Sequence, residues 1–102
     1  GATMVGAVPR SESFTRLMGW PDAVISFDPQ SQEIVPFLED LGRQTERLET
    51  ARRLGVRECL TRHDWMFRWR TLLETLGLDE PPTLARREEE LHKRAARWGD
   101  PA

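Results

Sequence analysis

The chain has 102 residues and a mass of 11.8 kDa, enough for one small domain near the lower end of comfortable single-core sizes. Hydrophobic residues make up 38% and charged residues 31%, and 15 basic against 17 acidic residues leave a net charge of -2, so no global positive field collects nucleic acid or an anionic membrane. The lone Cys59 excludes an intrachain disulfide and a cysteine-based zinc site, and no apolar run approaches the roughly 20 residues that span a bilayer.

Residues 3–8, Thr-Met-Val-Gly-Ala-Val, form a short apolar run closed by Pro9 and read as a buried strand or a helix end passing into one. Arg10 and Glu12 interrupt this start, so no signal peptide is read there, and a cytoplasmic, reduced and soluble chain is expected. Ser11 or Ser13 can cap a short helix through Phe14, Leu17 and Met18, stopped by Gly19. Trp20-Pro21-Asp22 is a turn. Ala23-Val24-Ile25-Ser26-Phe27 is the best strand in the chain, and its continuous apolar character suggests burial on both faces, as in a parallel sheet. Asp28-Pro29 ends it.

The remainder reads as helical. Ser31 caps a segment through Ile34, Val35, Phe37, Leu38 and Leu41, with Glu33 in its first turn. Pro36 should kink that segment or shift its start, and Gly42 is a break. A helix over about 44–62 carries Leu48, Ala51, Gly55, Cys59 and Leu60 on one stripe, and Gly55 inside it suggests close approach of another backbone. The next helix starts near His63-Asp64 and ends at Gly77, with Trp65, Trp69, Leu72, Leu73 and Leu76 on a core face. Met66 and Phe67 point elsewhere, toward a second element. Asp79-Glu80-Pro81-Pro82 is a linker. The last helix, about 83–98, carries Leu84, Leu91, Ala95 and Trp98 in a narrow stripe.

Charge is laid out in blocks. Residues 22–41 hold five acids and no base, whereas 42–70 hold eight Arg against Glu46, Glu49, Glu58 and Asp64. Blocks of opposite sign should pair with each other or face water. An anion-binding face on 43–57 is the competing reading, and the interleaved Glu residues weaken it by pairing with Arg at helical spacing. His63 and Asp64 are neighbours at a helix start, so their side chains diverge and suit capping better than catalysis. His92 near Glu88 and Glu89 reads as part of a solvated charged helix, and no metal site is expected. Gly6-Ala7-Val8-Pro9 matches neither the dinucleotide glycine fingerprint nor the Walker pattern.

Taken in order, these pieces resemble the C-terminal end of glycosyltransferases of the GT-B fold, in particular the spore-maturation-type branch of the group 1 enzymes. Gly6-Ala7-Val8-Pro9 looks like the Gly-x-Pro strand after the donor-site helix, and 20–28 looks like the next strand and its loop. Residues 31–41 resemble the following helix. Residues 48–68, with Gly55, Leu60, His63 and Arg68, resemble the family's long basic helix, and Leu76-Gly77-Leu78 with the Arg-rich 84–97 segment its tail.

The resemblance implies an α/β, predominantly helical fold: a truncated Rossmann-like segment with two short parallel strands and four to five helices. It implies a division into 1–78, the C-terminal part of a donor domain, and 79–102, a linker and amphipathic helix. It implies a nucleotide-sugar donor in the complete enzyme, with no separate cofactor, and an isolated chain that is inactive. Aligning Gly6 on the family glycine puts Gly1 where the family has a donor-contacting Glu; Met4 replaces an Ala, and Pro9 falls one residue late. No catalytic residue is therefore carried over. Gly6, Pro9 and Glu12 are expected at the edge of a donor site, with Glu12 the nearest carboxylate. His63, Trp65, Arg68, Trp69 and Trp98 are expected to be structural or to face the missing N-terminal domain or a protein partner. The alternative is a non-catalytic helical interaction module built on the same scaffold.

Overall fold

A computed structural model of the chain describes residues 1–99. The elements run β1 (Val5–Gly6), α1 (Glu12–Met18), β2 (Ile25–Ser26), α2 (Ile34–Arg43), α3 (Thr45–Arg62), α4 (Trp65–Leu76) and α5 (Pro82–Ala96). This is the helix-rich α/β class expected. Packing divides the described chain into two units, Gly1–Gly55 and Val56–Gly99, with the boundary inside α3. The division at 78 and 79 rests on the resemblance rather than on packing.

In the first unit β1 and β2 pair in parallel, Val5 opposite Ile25 and Gly6 opposite Ser26. Ile25 N–H donates to the Met4 carbonyl at 2.8 Å and Phe27 N–H to the Gly6 carbonyl at 2.9 Å. The orientation expected from the apolar run is correct, but the strands are only two residues long, and burial on both faces is not found. Ile25 is buried, Ser26 is exposed and Val5 is exposed.

Alpha-helix 1 starts where the capping signal places it. The Ser11 hydroxyl accepts from Phe14 N–H at 3.1 Å, satisfying one of the donors a helix start leaves free. At its other end Gly19 is required, because a Cβ there would stand 2.2 Å from the Thr15 carbonyl oxygen. Asp22 then adopts a left-handed φ of 54°, and Ala23 N–H closes the turn onto the Trp20 carbonyl at 3.2 Å. Trp20, Ala23, Ile25, Leu41 and Ala51 are the buried apolar residues of this unit.

Pro36 shifts the start of α2 rather than kinking it. It becomes the third helical residue, where a missing N–H costs nothing, and the first i to i-4 bond runs from Phe37 N–H to the Glu33 carbonyl at 3.1 Å. Ser31 is therefore not the cap; its hydroxyl accepts from Glu33 N–H at 3.2 Å, and Glu33 precedes the helix instead of lying in its first turn. Gly42 stays helical, and the break comes at Gln44. The Phe27 and Phe37 rings lie 4.8 Å apart, tilted by 45°, and join the end of β2 to α2. Gly55 gives a further correction: among the described residues a Cβ there would meet nothing within 4 Å, so no described backbone approaches it. Of the stripe read along α3, Ala51 is buried and Cys59 is exposed.

In the second unit Asp64 caps α4, its Oδ1 accepting from Met66 N–H at 3.0 Å. Gly77, at φ 66°, closes the helix; its N–H reaches the Glu74 carbonyl at 3.1 Å and Leu78 N–H reaches the Leu73 carbonyl at 2.9 Å, the double bond of a Schellman ending. Pro82 belongs to α5 as its first residue, so the linker is one residue shorter than read. Leu91 and Ala95 of α5 are buried as expected, and Leu84 and Trp98 are half-buried.

The face of α4 is the main correction. Trp65 is 76% exposed and Trp69 57%, and Leu72 and Leu76 are also exposed, whereas Met66 is buried. Apolar residues at 65, 66, 67, 69, 72, 73 and 76 cover more than one stripe of a helix, so periodicity alone does not decide which side is inward. The contact with α5 decides it. Arg70 and Asp64 reach Glu88 and Arg87 of α5, and Met66 shares a side of α4 with Arg70, four residues on.

Candidate functional site

Gly6, Pro9 and Glu12 follow one another along the β1–α1 connection. The Gly6 carbonyl is committed to the sheet through Phe27 N–H, and among the described residues a Cβ at Gly6 would meet nothing within 4 Å. Pro9 is exposed. Glu12 opens α1 and lines, with Ser13, Thr15 and Arg16, an open depression of about 360 Å³. A carboxylate in the first helical turn is favoured by the helix dipole, which accounts for Glu12 without any ligand.

At the corner between α3 and α4, His63 and Asp64 diverge as expected. The oxygens of Asp64 are engaged by Met66 N–H and by Arg87 Nη2 at 2.8 Å. Arg87, followed by the Met66 N–H, holds the Asp64 carboxyl below the usual carboxylate range. His63 Nδ1 instead lies 3.3 Å from Arg68 Nη2. This arrangement holds a helix start. Trp65 and Trp69 face solvent next to it, and Trp98, half-buried, follows α5. His92 Nδ1 stands 2.9 Å from the Glu88 carbonyl oxygen of its own helix. Among the described residues, no three His, Cys, Asp or Glu side chains converge as metal ligands would.

The basic block is largely paired. Arg47 makes a two-pronged bond to Asp22 at 2.8 and 2.9 Å, drawing its carboxyl below the ordinary value, and also reaches Gln44 Oε1 at 3.2 Å. An open depression of about 450 Å³ over 43–47 thus has Arg47 already occupied in its wall. Glu49 accepts from Arg52 at 2.8 and 2.9 Å and from Arg53 at 2.7 Å, and these guanidiniums, Arg52 foremost, lower its pKa to about 2. Arg62 pairs with Glu58 at 3.2 Å. An anion approaching Arg47, Arg52 or Arg53 would have to displace a carboxylate.

One cluster was not legible as such in the sequence. Arg70 bonds Glu80 at 2.8 and 2.9 Å and Glu88 at 2.7 Å, tying α4, the connection after it and α5 together. Both carboxyls are held below their ordinary range by that guanidinium. The Asp22–Arg47 pair had a signal, the opposite signs of blocks 22–41 and 42–70. The Arg70 cluster had none, because its partners lie within a segment of mixed charge.

No family model, no curated protein and no solved structure matches the chain. What the residues and the fold define is therefore a class: a helix-rich α/β chain with a two-stranded parallel sheet. No helix among the described residues is long and apolar enough to cross a membrane.

Proposed function

We propose that this chain is the C-terminal segment of a nucleotide-sugar-dependent glycosyltransferase of the GT-B fold, contributing scaffold to the donor-binding domain and inactive alone. The observation that carries the reading is the parallel β1–β2 pair with α1 between its strands. A parallel pair needs a crossover and is normally one piece of a wider sheet covered on both faces. Two strands of two residues are too little for an autonomous sheet. In this reading Gly6, Pro9 and Glu12 line the rim of the donor site, and backbone N–H groups and helix dipoles supplied by the rest of the enzyme hold the departing diphosphate.

The test is the reading frame upstream of Gly1 and the activity of its product. Continuation in frame through a glycine-rich strand and helix is expected, with nucleotide-sugar turnover by the whole polypeptide. A frame in which no glycine-rich strand and helix precede Gly1 would overturn the reading. Sugar transfer by the pure 102-residue chain would overturn its assignment as an inactive scaffold.

A non-catalytic helical interaction module is the second reading. The exposed Trp65, Trp69, Leu72 and Leu76 side chains favour it.

A further inference from the structure

We propose that α4 is a homodimer interface, in which Trp65, Trp69, Leu72 and Leu76 of one chain pack against the same four residues of a second copy in antiparallel orientation. The inference does not rest on the glycosyltransferase reading.

The four side chains fall on one side of the helix and are all exposed. The two indoles present on the order of 300 Å². With the two leucines the face reaches roughly 500 Å² per copy, the upper range of what a monomer leaves to water. Two copies would bury about 1,000 Å², the threshold for a specific interface, and the flanking stems of Arg68 and Thr75 would add to it.

The spacing suits a second copy of this chain. Steps of four, three and four residues read the same in both directions. About a two-fold axis between Trp69 and Leu72, Trp65 lies opposite Leu76 of the partner subunit and Trp69 opposite Leu72 of the partner subunit. Each bulky ring then meets a branched aliphatic side chain. A self-complementary patch of this kind is what an isologous interface requires. No charge lies within the stripe: Arg68 is at its margin, and helical geometry puts Glu74 on the opposite side. A net charge of -2 adds little repulsion between copies.

Sedimentation velocity of the 102-residue chain across the micromolar range tests this. The expected result is a concentration-dependent rise from 11.8 kDa toward twice that mass. Trp69→Glu and Leu72→Glu should each raise the dissociation constant by roughly 30-fold or more, with the far-ultraviolet circular dichroism unchanged. Trp69→Phe should retain the dimer. A monomer at every concentration overturns the proposal. A dimer indifferent to both Glu variants also overturns it, by placing the contact elsewhere. A monomer whose tryptophan emission shifts only on phosphatidylcholine vesicles overturns it in favour of a lipid surface.

Discussion

Asp64 and Arg87 join the start of α4 to the middle of α5 through a 2.8 Å bond, while the same carboxylate caps α4 through Met66 N–H. One side chain thus fixes a helix end and the contact between two helices. The two roles can be separated. Asp64→Asn keeps a capping oxygen and loses the charge, whereas Asp64→Ala loses both. Urea denaturation should show Asp64→Ala costing about 1–2 kcal/mol and Asp64→Asn clearly less. Equal losses would mean that the cap contributes nothing.

Arg70 contributes to the acid limb of stability in the second unit. Its guanidinium lowers the carboxyls of Glu80 and Glu88 below their ordinary 4.5, and Arg87 lowers that of Asp64 below 3.8. Depressed folded-state values mean the contribution is complete above the unfolded values and is lost as pH falls through the folded ones. Stability should therefore hold at neutral pH and decline below pH 4.5. Arg70→Met should flatten the decline assigned to the two glutamates, measured by denaturant titration at stepped pH. An unchanged slope would remove Arg70 as its source.

Glycine positions give opposite signs. Gly55 lies in helical backbone with open space at its Cβ, so Gly55→Ala should stabilise by about 0.5–1 kcal/mol. Gly77 holds a left-handed φ of 66°, so Gly77→Ala should destabilise by about 1–2 kcal/mol. Gly19→Ala forces a 2.2 Å approach to the Thr15 carbonyl and should unravel the end of α1. Thermal melts of the three variants against the parent check all three signs.

Leu91 is fully buried, whereas Trp65 is largely exposed. Leu91→Ala should cost about 2–5 kcal/mol in denaturant titration. Trp65→Ala should change monomer stability by less than about 0.5 kcal/mol when measured at high dilution. The reverse order would restore Trp65 to the core.

The sequence determined the features that depend on neighbours along the chain. Ser11 and Gly19 bound α1, Asp64 and Gly77 bound α4, and the stripe of Leu91 and Ala95 marked the inner side of α5, because caps and a narrow apolar stripe act within a few residues. The parallel orientation of the two short strands agrees with the expectation drawn from the apolar run 23–27, although the two-faced burial behind that expectation is absent. Tertiary structure decided which side of α4 turns inward. Seven apolar residues spread around that helix leave two competing faces, and the choice falls to partners distant in sequence, where Arg70 and Asp64 meet Glu88 and Arg87. The open space at Gly55 was equally out of reach, since a helical glycine looks the same in sequence whether another backbone lies beside it or water does. At the rim formed by Gly6, Pro9 and Glu12, sequence fixed the order of residues along the chain, and the fold added that the Gly6 carbonyl is held by Phe27 in the sheet.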